Sequence, residues 1–83
     1  MSLADDVRRY CKEKYVEPAR KSGRKAVKIR AGDVHSALNY RNRYPLVCLA
    51  LGSNIFKDMC SLRRLSIEGP LNVSNTEFTF EIG

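Results

Sequence analysis

The sequence predicts an α+β fold in the order helix–strand–helix–helix–strand–loop–strand. Three observations carry that expectation. Leu3, Val7, Tyr10, Cys11 and Tyr15 recur at three- and four-residue steps, which is one apolar stripe of a helix. Val27 and Ile29 alternate with Lys28 and Arg30, the period of a half-buried strand. Phe78, Phe80 and Ile82 alternate with Glu77, Thr79 and Glu81 in the same way. Eighty-three residues make one domain, 1–83, with a small core. Residues 1–25 hold the basic first helix and a loop, 26–60 a strand and a helix pair, and 61–83 a β-hairpin.

Each element has a local cause. Asp5 and Asp6 suit the positive start of the first helix, and Lys12 and Lys14 suit its end. Glu17-Pro18 ends that helix near Val16 or restarts it with Pro18 in a first turn. Ser22-Gly23 marks a loop. Ala26 to Arg30 is the first strand. Ala31 to Leu38 is a short helix that lacks a Ser or Thr cap, with Asp33 in its first turn and Val34, Ala37 and Leu38 as its buried stripe. Asn39 is placed to take the left-handed conformation that ends it. Asn42 is expected to cap the next helix and Pro45 to occupy its first turn. Leu46, Leu49, Ala50 and Ser53 then face the core. Ser53 can cap a further turn carrying Ile55, Phe56, Met59 and Cys60. Leu65 and Ile67 form the apolar face of the next strand, and Arg64 its outer face. The connection Gly69 to Thr76 is longer than a tight hairpin needs.

Charge is the second strong signal. The chain carries +6 overall. Residues 8–43 hold twelve Lys or Arg against three acids, a local +9, and the remainder sums to −3. This asymmetry points a polyanion at the front half, against the alternative of a solvated basic face. The stretch from Arg20 to Lys25 holds four cations and no acid, and reads equally as a phosphate-contacting loop or a solvated one.

Other classes are poorly matched. The longest uncharged run, Tyr44 to Phe56, is too short to span a bilayer, which needs about 20 residues. No signal peptide is visible, so a cytoplasmic location is expected. Three cysteines, Cys11, Cys48 and Cys60, form no Cys-x-x-Cys pair, and His35 is the single histidine. They read as buried reduced thiols rather than metal ligands. No paired carboxylates, nucleophile elbow or phosphate-binding glycine pattern appears, so neither catalysis nor a cofactor is expected. His35 reads as a packing or surface residue. Tyr40 and Tyr44 read as core or rim packing ahead of stacking on a base.

The layout as a whole, with Ile29-Arg-Ala-Gly-Asp-Val-His35, Asn42-Arg-Tyr-Pro-Leu-Val-Cys48, Glu68-Gly-Pro70 and Phe78-Thr-Phe80, resembles winged helix-turn-helix domains. In detail it is similar to a small, mainly archaeal, uncharacterised winged-helix family. The resemblance implies the fold helix–strand–helix–helix–strand–wing–strand. It also implies that the second helix of the pair enters the DNA major groove by its N-terminal residues. Those residues here are Arg41, Asn42, Arg43 and Tyr44. Arginine pairs with guanine and asparagine with adenine through two hydrogen bonds each. Arg24, Lys25, Lys28 and Arg30 would hold phosphates.

Two features favour a second reading. Val47, Cys48 and Leu51 fall on the side of the helix away from the expected core, and an apolar outer face is usually covered by protein. The wing, residues 69–76, carries no Lys or Arg. The expected function is therefore nucleic-acid binding, with double-stranded DNA the first partner and a regulator or accessory role. The alternative is a protein-interaction or dimerisation module with Val47, Cys48 and Leu51 in its interface. RNA has no distinguishing signature here and stays open as a partner.

Overall fold

A computed structural model describes residues 2–82. The first helical stretch comprises α1 (Leu3–Cys11), a π turn (Lys12–Val16) and α2 (Glu17–Lys21). Ser2 caps it, its hydroxyl accepting from the Asp5 N–H at 3.2 Å. The chain stays helical past Val16, and of the two alternatives the second holds: a new α segment starts at Glu17 with Pro18 in its first turn. Proline has no N–H to give to the preceding turn. The chain accommodates it by widening the ladder just before it, where the Glu17 N–H donates to the Lys12 carbonyl. Gly23, at φ +74°, then turns the chain out of α2, a conformation open to glycine at little cost.

The remaining elements are β1 (Ala26–Arg30), α3 (Ala31–Ala37), α4 (Tyr44–Leu51), α5 (Asn54–Cys60), β2 (Leu62–Glu68) and β3 (Glu77–Ile82). The three strands form one antiparallel sheet in the order β1-β3-β2. β3 lies in the middle, pairing Phe78 with Ile29 and Phe80 with Val27. Phe80 meets Phe56 of α5 edge-on at 5.4 Å. Around these rings pack Val7, Cys11 and Val16 from the first helix, Val34 from α3, and Val47 and Leu51 from α4, all fully buried. Cys11, Cys48 and Cys60 are free thiols inside this core.

Several expectations change. Ala37, expected in the buried stripe of α3, is exposed, and His35 is buried with Val34 instead. Val47, Cys48 and Leu51 do not form an outer face: they are 0%, 7% and 0% exposed, while Leu49, expected inside, is 69% exposed. A helix apolar all round carries no amphipathic signal to set its phase. The phase is set instead by neighbours, since α4 wedges between α1 and α3 and both its flanks are buried. Asn42 is not the cap of α4; it takes a left-handed φ of +53°, and Arg43 precedes the helix without a capping side chain. Along β2, a register shift between Arg64 and Ser66 resets the alternation. Leu65 and Ile67, expected on the apolar face, are both exposed; Arg64, paired opposite Phe80, is exposed as well and donates to the Gly52 carbonyl at 3.3 Å. Ser53 caps α5 as expected, accepting from the Phe56 N–H at 3.3 Å.

Candidate nucleic-acid interface

The connection from α3 to α4 is held from below by one side chain. His35 is buried at the end of α3, and its Nε2 accepts a hydrogen bond from the Arg43 backbone N–H at 3.1 Å. Its ring stacks on Tyr44 at 4.0 Å between centroids and meets the edge of Tyr40 at 6.0 Å. The histidine expected to be a packing residue is therefore the post under the turn. Two left-handed asparagines, Asn39 at φ +57° and Asn42 at φ +53°, reverse the chain around it. Asparagine tolerates that conformation better than most residues.

This arrangement leaves Arg41, Asn42 and Arg43 exposed side by side, and no acidic side chain is paired with either arginine among the described residues. Beside them lies an open polar hollow of about 460 Å³ lined by His35, Ser36, Asn39, Tyr40, Arg41 and Tyr44. Burial pushes the Tyr40 hydroxyl above its ordinary pKa, with the nearby Asp6 adding to the shift. It stays a neutral donor at neutral pH.

The other expected phosphate contacts divide into two groups. Arg24 and Lys25 are exposed at the start of β1. Lys28 lies 3.4 Å from Glu77 across the sheet. Arg30 is spent within the fold: it donates to Asn75 at 2.7 Å and lies 3.5 Å from Asp33. It ties the β2–β3 loop to the start of α3. Two more cations of the basic half are structural. Arg8, nearly buried, pairs with Asp5 at 2.7 Å and reaches the Ser53 hydroxyl at 3.2 Å. Arg20 donates to the Cys60 carbonyl at 2.7 Å and closes the end of α5. Charge counting along the sequence has no means of telling such residues from solvated ones.

The β2–β3 loop supplies what α3 lacks in sequence. The Ala31 and Gly32 N–H groups donate to the carbonyls of Thr76 and Ser74 at 2.9 and 3.0 Å. Helix-start donors otherwise left over are thus satisfied by backbone. Thr76, fully buried, holds the loop's own shape by accepting from the Val73 N–H and donating to the Pro70 carbonyl. The sequence signal for this contact was Gly32, a glycine inside a short helix.

The loop's outer side is apolar. Leu71 and Ile67 join Leu49, Pro45 and Phe78 around a shallow hollow of about 480 Å³. An exposed apolar surface therefore lies between α4 and the hairpin; of the three residues expected in an interface, Cys48 lines its edge, while Val47 and Leu51 lie in the core. A third hollow, between the first helix and β1, is lined in part by Lys14, Tyr15 and Arg24. In the sequence Lys14 reads as helix-end charge on a basic face able to hold phosphates, and Tyr15 as part of the apolar stripe. No helix of the described residues is long and apolar enough to cross a membrane. Comparison with known protein families, curated proteins and solved structures finds no match for this chain.

Proposed function

We propose that this chain is a winged-helix nucleic-acid-binding protein that contacts duplex DNA through the α3–α4 turn and the start of α4, as a transcriptional regulator or accessory factor in the cytoplasm. The observation that carries this reading is the exposed Arg41-Asn42-Arg43 segment, buttressed by His35 and free of acidic partners. The element order and the β1-β3-β2 sheet support the winged-helix assignment. In such a domain Arg41 and Arg43 reach guanine edges or phosphates, and Asn42 reaches adenine. Arg24 and Lys25 add phosphate contacts, Lys28 a weaker one shared with Glu77, and Arg30 serves the loop instead. The role is binding, without catalysis or a cofactor.

Fluorescence anisotropy with a labelled random duplex, at low and moderate salt, tests this. Micromolar binding that falls steeply with salt is the expected result, because neutralised phosphates release counterions. An absence of binding at low salt rejects it. Unlabelled RNA added as competitor decides between duplex DNA and RNA.

A second reading has its own observation. Leu49 and Leu71 are 69% and 61% exposed on either side of the apolar hollow. In that reading the surface is a dimer or partner interface that keeps Cys48 at its edge and excludes the buried Val47 and Leu51. Sedimentation velocity on the wild type and on Leu49→Asp checks it: self-association lost in the variant supports a homodimer, and a monomeric wild type at high concentration removes it.

A further inference from the structure

The hollow between the first helix and β1 has a volume of about 340 Å³ and is separate from the α3–α4 turn, sharing no lining residue with the hollow there. Three cations line it, Lys14, Arg24 and Lys28, and no acidic side chain among the described residues does. Its floor is apolar, formed by the buried Ala19 and Val27. Tyr15 makes one wall, half-buried and braced edge-on by Tyr10 at 6.2 Å. Lys14 and Tyr15 both belong to the π turn. Single π turns inside α-helices recur at functional sites, where the wider turn re-aims side chains.

We infer that this hollow binds a small phosphate-bearing ligand with a planar ring, a nucleoside monophosphate being its simplest form. Lys14, Arg24 and Lys28 take the phosphate, and Tyr15 lies against the ring. Volume supports a small ligand, since about 340 Å³ lies at the lower end of the roughly 300–1,000 Å³ range of ligand pockets. The mixture of an apolar floor, an aromatic wall and a few charged side chains is also that of a ligand site. Contacts that only position a duplex need exposed donors to phosphate and no such floor. Lys14 and Arg24 have no ion pair among the described residues, so both are available to an anion. Lys28 must leave Glu77, 3.4 Å away, to join them. The site stands or falls independently of duplex binding at Arg41 and Arg43.

The test is a 15N–1H correlation titration of the full chain with AMP, and separately with inorganic phosphate. Saturable shifts confined to the amides of Lys14, Tyr15, Ala19, Arg24 and Lys28 are expected with AMP, and the same shifts at higher concentration with phosphate. The double variant Lys14→Ala/Arg24→Ala, made at exposed positions, lowers AMP affinity at least tenfold. Glu77→Gln releases Lys28 and raises it twofold or more. Arg41→Ala/Arg43→Ala leaves it unchanged. The inference is overturned if millimolar AMP moves none of these amides, or if Lys14→Ala/Arg24→Ala leaves AMP affinity intact. It is equally overturned if that variant weakens duplex binding while AMP produces no shift, since the hollow is then part of a duplex-binding surface.

Discussion

The Nε2 atom of His35 accepts the Arg43 backbone N–H at 3.1 Å, so a buried ring on α3 fixes the first residue before α4. The same ring stacks on Tyr44, the first residue of α4. The packing of α4 against α1 and α3 sets the helix, and this side chain fixes the residue that leads into it, next to Arg41 and Asn42.

Substituting His35 separates its two contributions. His35→Ala removes hydrogen bond, stack and volume together and is expected to cost about 2–4 kcal/mol. His35→Phe keeps a ring against Tyr44 but leaves the Arg43 N–H without its acceptor, a loss of about 1–2 kcal/mol. Urea denaturation followed by circular dichroism measures both. The Phe variant, still folded, should bind duplex more weakly than wild type. Equal stability of His35→Phe and wild type would show that the 3.1 Å hydrogen bond does not hold the turn.

Replacing Arg41 and Arg43 by alanine tests the exposed turn directly. Both side chains lie in solvent without an acidic partner among the described residues, so thermal stability should stay within about 0.5 kcal/mol of wild type. Duplex affinity should fall, and the dependence of log K on log salt should flatten by about 1.8 if both contact phosphate. A lower affinity with an unchanged salt slope would move the two arginines from backbone to base contact. Unchanged affinity would place the binding surface elsewhere.

The buried thiols give a pH prediction. Burial, and then the nearby Cys60, push the Cys11 thiol from 9.0 up to about 12. Burial also raises Cys60, opposed by Lys12 and Arg20. The neutral thiol is the form the fold favours, so this contribution to stability is complete below about pH 9 and is lost as pH rises toward 12. Unfolding midpoints should thus be flat in this respect near neutrality and decline in alkali, less steeply in Cys11→Ala once its own packing loss is subtracted. Reaction with a thiol reagent at pH 8 should be slow in the folded protein and fast in urea. Rapid labelling of the native protein would mean that Cys11 is reached by local opening.

Strands β1 and β3, and the helix-end roles of Ser53 and Asn39, were legible in the sequence; the Asn42 cap and the alternation of β2 were not. Val27, Ile29, Phe78 and Phe80 alternate with charged or polar neighbours and are buried as that pattern requires. Ser53 and Asn39 act where local chemistry places them. The reading failed where the signal is set by contacts between distant segments. α4 offers apolar residues on every side, so only its packing against α1 and α3 selects Val47 and Leu51 for the core and Leu49 for solvent. Leu65 departs from alternation because of a register shift that no residue type announces. At the candidate interface, Arg41 and Arg43 follow from the winged-helix resemblance and are exposed, but Arg8, Arg20 and Arg30 carry the same charge and are tied to Asp5, Cys60 and Asn75. Sequence gives the number of cations; partners up to 45 residues away decide which remain available.

Gly32 shows how closely the hairpin loop and α3 depend on each other. A Cβ at this position would lie 2.8 Å from the Ser74 carbonyl oxygen and 2.9 Å from the Ser74 Cβ. That same carbonyl accepts the Gly32 N–H at 3.0 Å, so the loop is unable to retreat without giving up a helix-start hydrogen bond. Helix propensity alone makes Gly→Ala stabilising by about 1 kcal/mol. Overpacking against backbone opposes it by about 1–3 kcal/mol, and the lost hydrogen bond adds about 1 kcal/mol more. Gly32→Ala is therefore expected to be destabilising by about 1–3 kcal/mol on balance. Thr76→Val, which removes the hydroxyl that bridges Val73 and Pro70, should loosen the same loop from the other side. Because the two changes act on one contact, their effects should fall short of additive when combined. Chemical denaturation of the two single variants and the double variant measures this. A stabilised Gly32→Ala would mean that propensity governs the helix start and that the loop does not cap α3 in solution.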